Sequence, residues 1–264
     1  MSTTAPPPKL AGSKLAQTIL VGLGAGFLSG LFGVGGGILI VPALVLVLGI
    51  TQRLAHGTSL AAVLPIAVSG LVGFAVEDSA DWPVAAALVS GAMVGAVIGT
   101  AALQKLSAKA LARGFAIVLV LSAARLALDS SDGSGRSDLT IVAIVGLALV
   151  GLLSGTLAGL LGVGGGVVMV PAMIILFGIP AAVAKGTSLA VIIPTSVVAT
   201  QRNLRNGNAD LPTAAAVGIA GIVSAYLASK ISVGLDEQVS NALFGALLAF
   251  VAVRMFVRSF RETE

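Results

Sequence analysis

The chain is expected to fold as an all-α polytopic membrane protein of two inverted-topology repeats, each a glycine-broken helical hairpin followed by three spanning helices. Three observations carry that expectation. The composition is 57% hydrophobic and only 10% charged, with a mean hydropathy of +1.08. A soluble domain carries about 25% charged residues, so the surface of this protein must face lipid. Apolar runs of about 17–25 residues, the length a helix needs to cross hydrocarbon, recur from end to end, and nothing alternates as a barrel strand would. Finally, the chain repeats itself. Gly26–Pro65 and Gly155–Pro194 align without a gap at an offset of 129 residues, with 21 identical positions that include both GVGGG runs, both VPA triplets and both GTSLA segments. A self-similarity at fixed offset is the mark of a duplicated architecture. A weaker echo continues, in which Asp81-Trp82-Pro83 answers Asp210-Leu211-Pro212 and Arg125 answers Arg254.

The elements follow in order. Residues 1–14 are polar and Pro-rich at their start, without the charged and short apolar regions of a signal peptide, and are expected to be a disordered cytoplasmic tail. The first repeat, 15–128, opens with an apolar segment Leu15–Phe32 that ends in the glycine run. Gly36–Gly49 is too short to span comfortably. Arg53–Val76 is the third segment, with the GTS motif read as its start. The acidic loop Glu77–Asp81, read as a solvated face, leads to Pro83, a good first helical residue. Pro83–Leu103 carries Gly91, Gly95 and Gly99 at four-residue spacing, a face for close helix packing within the chain or against a second copy in a homodimer. Ala108–Leu128 is the fifth segment, and 129–138 a hydrophilic linker. The second repeat, 139–257, restates the order as Leu139–Leu161, Gly165–Gly178, Ala182–Leu204, Pro212–Ser229 and Glu237–Val257. Residues 258–264 form a second cytoplasmic tail. Pro42, Pro65, Pro171 and Pro194 are read as residues that end or kink helices.

Charge chooses between two topologies. If the first two segments of each half formed one broken span, the halves would be parallel and the basic residues would scatter to both sides. If they form a hairpin, one side receives 11 of the 15 basic residues (among them Lys9, Lys14, Arg53, Lys105, Arg202 and Arg205) against three acids. The positive-inside rule therefore favours the hairpin, inverted halves and cytoplasmic termini. Inverted repeats with interrupted helices are the plan of secondary transporters, which bind substrate where the repeats meet. The pI of 9.9 is thus a topology signal and not a nucleic-acid signature. The absence of cysteine removes thiol chemistry and Cys-ligated metals, and neither a cofactor nor a metal is expected.

The candidate site residues are the glycine runs Gly33, Val34, Gly35, Gly36, Gly37 and Gly162, Val163, Gly164, Gly165, Gly166. They fit no nucleotide-binding fingerprint, since position six is Ile38 or Val167 and no P-loop lysine follows. Glycine here permits a sharp turn and leaves backbone N–H groups at the start of a half-helix, whose positive dipole end suits an anion. Thr58, Ser59, Thr187 and Ser188 are read either as N-caps or as substrate contacts. His56 and Lys185 hold equivalent positions and are read as charge partners for a passing anion, His56 being able to titrate near neutrality. Gln201, Arg202 and Asn203 are more polar than their counterparts Val72, Gly73 and Phe74, with Arg202 expected to snorkel. No Asp or Glu lies inside an apolar segment, where proton relays usually show one. An anion leaving a negative interior gains about 2.3 kcal/mol per charge per 100 mV, so export needs no coupling ion. Enzyme activity is not expected, because the segments bring together no His/Asp/Glu cluster or nucleophile–base pair.

The pattern G-L-x-G-V-G-G-G-x-x-x-V-P followed by G-T-S-L, duplicated within about 260 residues, resembles the sulfite exporter TauE/SafE family of bacterial membrane transporters. Gly207-Asn208-Ala209-Asp210 is similar to that family's G-N-x-D stretch; the first half departs from it with Glu77-Asp78 and no Asn. The resemblance implies a carrier in the bacterial cell (inner) membrane for small sulfur-containing anions such as sulfite or organosulfonates. An anion channel on the same scaffold and an H⁺-coupled uptake permease are the alternatives.

Overall fold

The computed structural model describes residues 12–102 and 140–261, with side chains to residues 101 and 250. The fifth segment of the first repeat, the linker, residues 1–11 of the first tail and residues 262–264 of the second lie outside these residues. Among the described residues every regular element is a helix: α1 (Ser13–Phe32), α2 (Gly37–Leu48), α3 (Gln52–Ala75), α4 (Trp82–Ala102), α5 (Ile141–Leu161), α6 (Gly166–Phe177), α7 (Ala181–Arg205), α8 (Leu211–Val233) and α9 (Glu237–Arg261). Six of them (α1, α3, α4, α5, α7 and α8) are long and apolar enough to cross a membrane, and α2 and α6 are the short apolar pair. Large apolar side chains stand outward, among them Leu20, Leu46, Leu149, Ile219 and Phe250. In water such a surface would drive association; in a bilayer it is the lipid contact.

The helix directions follow from which residues touch. Gly22, Gly26 and Gly30 of α1 abut Val217, Gly221 and Ala225 of α8 in that order, so the two run parallel. Along α3, Ala62, Ile66 and Gly73 meet Gly218, Gly221 and Ser229, so α3 is also parallel to α8. On the other side Gly91, Gly95 and Gly99 of α4 lie on Ala148, Leu152 and Thr156 of α5, again parallel. Helix α7 follows α4, with Thr187 at Asp81 and Ala199 clustered with Ala96. Helices α3 and α7 cross in opposite senses, Gly70 beside Leu189 and Leu60 beside Ala199. Thus α1, α3 and α8 point one way and α4, α5 and α7 the other.

Two consequences follow. Because α1 and α3 point the same way, the short α2 between them must return, which makes α1–α2 a hairpin and excludes a single broken span. In the second half Gly165 lies by Ala158 and Phe177 by Gly146, so α6 runs back along α5 in the same manner. Counterpart helices (α1 and α5, α3 and α7, α4 and α8) are mutually opposed, as inverted halves require. Each half also lends a helix to the other, α1 packing on α8 and α5 on α4. Small residues allow this closeness, because a Cβ on Gly95 or Gly26 would run into the backbone of the facing helix. The glycine face of α4 is therefore spent within the chain.

The four prolines expected to end or kink helices all lie inside them: Pro42 in α2, Pro65 in α3, Pro171 in α6 and Pro194 in α7. Helix α4 begins at Trp82, one residue before Pro83.

Candidate functional site

The GVGGG runs form the two tight connections of the hairpins. Helix α1 ends when Gly33 turns left-handed, its N–H donating to the Ser29 carbonyl at 2.8 Å; Gly162 ends α5 likewise on Ala158 at 2.8 Å. Gly35 and Gly36, and Gly164 and Gly165, also hold positive φ, between 74° and 89°. L-residues avoid that region, which is why three glycines recur in each loop. Gly36 and Gly165 then cap α2 and α6 with no side chain to offer. The Leu39 and Val168 N–H groups donate to the Gly36 and Gly165 carbonyls at 3.0 and 3.1 Å, while the N–H groups of the first two residues of each helix precede the first intrahelical bond and have no side-chain cap.

The loops of the two halves meet. Gly37 stands against the Gly162 carbonyl and the Val163 backbone, and Gly166 against the Gly33 carbonyl and Val34. A Cβ on Gly35 would lie 3.0 Å from Val63 of α3 and 3.3 Å from Ile192 of α7, and one on Gly164 3.3 Å from the Val34 carbonyl. Both half-helix starts therefore lie beside the crossing of α3 and α7.

The GTS hydroxyls do not cap. The N-cap of α3 is Thr51, whose Oγ1 accepts from the Leu54 N–H at 3.4 Å, and that of α7 is Pro180. Thr58 and Thr187 thus sit well inside their helices, because the helical run begins before the motif instead of at it. All four hydroxyls are buried and reach into the opposite half. Ser59 Oγ donates to the Gly162 carbonyl at 2.9 Å and Ser188 Oγ to the Gly33 carbonyl at 2.6 Å. Thr58 Oγ1 accepts from the Asp210 N–H and Thr187 Oγ1 from the Asp81 N–H, both at 2.9 Å. Each half thus holds the glycine loop and the aspartate turn of its counterpart.

His56 and Lys185 are buried behind these loops. His56 Nδ1 lies 2.8 Å from the Leu160 carbonyl, and its Cα blocks any Cβ at Gly162; Lys185 does the same at Gly33. Lys185 Nζ donates to Ser232 Oγ at 3.0 Å and Ser240 Oγ at 2.5 Å, and lies 5.8 Å from the Phe32 ring centroid. No carboxylate pairs with it among the described residues. Ser232 and Ser240 carry no sequence motif, and the burial of Lys185 was their only signal. Asp81 and Asp210 are legible in the sequence as an echo of the repeat, Asp210 also within the G-N-x-D stretch. Asp81 Oδ1 accepts from the Val84 N–H at 3.0 Å, and Asp210 Oδ2 accepts from Thr213 Oγ1 at 2.5 Å. Of the loop Glu77–Asp81, read as a solvated face, Glu77 and Asp78 are exposed but Ser79 is buried and Asp81 half-buried, because Thr187 holds its backbone; Glu77 pairs with Lys230 across the halves. Arg202 is half-buried, while Asn203 is buried and its Nδ2 donates to the Ala199 carbonyl at 2.9 Å. No group of three or more potential metal ligands occurs among the described residues.

The chain shares this organisation with known proteins. It is 26% identical over 259 residues to a probable membrane transporter protein of Bacillus subtilis, YunE, covering 89% of this chain and 93% of that one. It is 25% identical over 252 residues to one of Xylella fastidiosa (92% and 97% covered), and 27% identical over 268 residues to one of Methanocaldococcus jannaschii (92% and 96%). No solved structure matches the chain significantly. The family described as sulfite exporter TauE/SafE matches residues 2–126 and 147–264, both copies of the glycine hairpin included. A multi-pass helical protein with these relatives and that match over both halves belongs to the TauE/SafE family of membrane transporters.

Proposed function

We propose that this chain is a secondary carrier, not an enzyme, that exports a small sulfur-containing oxyanion such as sulfite or an organosulfonate across the bacterial cytoplasmic membrane by alternating access. One observation carries the reading: two half-helix starts, without side-chain caps and from opposed halves, lie beside the same buried crossing of α3 and α7. Helix N-termini favour negative charge, and in a membrane exposed backbone N–H groups are tolerated only beside protein or a wet cavity.

The residues assigned to substrate are Gly33–Gly37, Gly162–Gly166, Thr58, Ser59, Thr187 and Ser188, with Lys185 and His56 behind them. In the described conformation each helix start faces the other loop's carbonyl, held there by Ser59 or Ser188. Parting of the halves replaces that carbonyl with the anion, whose charge Lys185 offsets from one side of the loops. The halves then act as two inverted units, 15–128 and 139–257, with both termini cytoplasmic by the distribution of Lys and Arg.

Gly35→Leu and Gly164→Leu test the assignment, because each puts a branched side chain where the loops meet, at a backbone angle Leu avoids. Both variants are expected to insert in the membrane and to lose sulfite flux in proteoliposomes. Normal flux by both removes the anion site from the glycine loops. Saturation and counterflow separate a carrier from a channel.

A further inference from the structure

The duplicated halves differ where α7 leaves the meeting point of the loops. Ser188, Ile192, Ser196 and Thr200 follow one another at four-residue spacing on α7, along one side of the helix. That side faces the loops, since Ser188 holds the Gly33 carbonyl and Ile192 packs beside Gly35 and Gly164. Ser196 and Thr200 are its next two turns. Both are more than nine-tenths buried, and neither Ser196 Oγ nor Thr200 Oγ1 has a hydrogen-bond partner. Their neighbour Thr195, by contrast, returns its hydroxyl to the Val191 and Ile192 carbonyls of its own helix. A buried hydroxyl without a partner is destabilising, so two in succession on one side of a helix call for a function.

The offset of 129 residues gives the equivalent positions on α3 as Ala67 and Leu71. The scaffold therefore does not require hydroxyls there. The stripe runs from the loops toward the end of α7 that carries Arg202 and Arg205, the end at which the antiparallel α3 begins with Arg53. The equivalent positions toward the opposite end, Ala67 and Leu71, carry no hydroxyl.

We propose that Ser196 and Thr200 form an anion-binding step on the basic side of the loops, donating two hydrogen bonds to a small oxyanion before it reaches the half-helix starts. The proposal rests on the carrier reading above and adds to it a one-sided path: two hydroxyls toward the basic end, none at the equivalent positions toward the other. The ligand class is an oxyanion with several free acceptor oxygens, which a hydroxyl pair one helical turn apart can engage together.

The test uses the full chain in proteoliposomes, with sulfite as the probe. Ser196→Ala and Thr200→Val together are expected to raise the half-saturating sulfite concentration about ten-fold or more, the scale of lost hydrogen bonds to a charged group. Thr200→Ser is expected to stay near the parent. In detergent, the double variant is expected to keep or raise the parent's melting temperature, since it removes two unsatisfied groups, and to lose the upward shift that sulfite gives the parent. A double variant with unchanged half-saturation and an unchanged sulfite-induced shift overturns the stripe while leaving the carrier reading intact. A double variant that melts well below the parent overturns it too, because the hydroxyls would then be structural. A parent that neither carries nor is stabilised by sulfite overturns both for this anion.

Discussion

At the scale of residues, the loops are fixed by hydroxyls that belong to the other half. Ser59 and Ser188 donate to the carbonyls of Gly162 and Gly33, both buried residues. Removing either hydroxyl takes a hydrogen bond from a buried acceptor, at a cost of about 1 kcal/mol or more. Ser59→Ala and Ser188→Ala are each expected to lower the melting temperature in detergent, and the double variant by roughly the sum. The sequence made the GTS hydroxyls visible as polar points in an apolar segment, but not their role. A capping reading needs the helix to start at the motif, and α3 starts at Gln52 because Thr51 caps it. The partners of these hydroxyls lie more than 100 residues away in the chain, where no local spacing rule reaches. Ser196 and Thr200 were open to a different route, the comparison of each position with its counterpart 129 residues earlier.

At the scale of elements, the duplication shows how one geometry tolerates two sequences. Helices α3 and α7 end in the same way. The Ser79 N–H bonds back to the Phe74 carbonyl and the Asn208 N–H to the Asn203 carbonyl, with a left-handed residue between, Asp78 at φ 50° or Gly207 at φ 68°. This is the Schellman ending, which glycine suits best. Asp78→Gly is expected to stabilise the protein by about 0.5–1 kcal/mol, the relief of a left-handed L-residue less the entropy of a new glycine. A thermal melt in detergent reads it, and transport is expected to be unchanged. Helix boundaries were legible in the sequence to within a few residues, because Gly33, Gly49, Gly162 and Gly178 mark them; α8 ran past its expected end at Ser229 to Val233, where no glycine or proline intervenes before Gly234. The glycine ladder of α4 was legible as a packing face. Its partner was not, because the choice between α5 and a second copy is made by topology alone.

At the scale of the whole molecule, the fold is an exchange: each half supplies the helix that packs on the other's hairpin, and the two hairpin tips meet at the centre. The charge distribution along the sequence favours a hairpin, and the parallel course of α1, α3 and α8 agrees with it. Lys and Arg are kept on the cytoplasmic side of spanning helices, so a reporter fused after Glu264 is expected to signal from the cytoplasm. A periplasmic signal would contradict the inverted arrangement proposed for the membrane. What the pattern of residues could not hold was substrate, since helix N-termini and hydroxyls accept any small oxyanion.

The most direct measurement of the central claim is sulfite flux in proteoliposomes containing the full chain, with and without an imposed membrane potential. The proposed carrier predicts saturable flux that the potential alone accelerates, in the direction that moves negative charge toward the positive side. Flux that ignores the potential and requires a proton gradient would contradict uncoupled export, and no flux would contradict sulfite as the substrate.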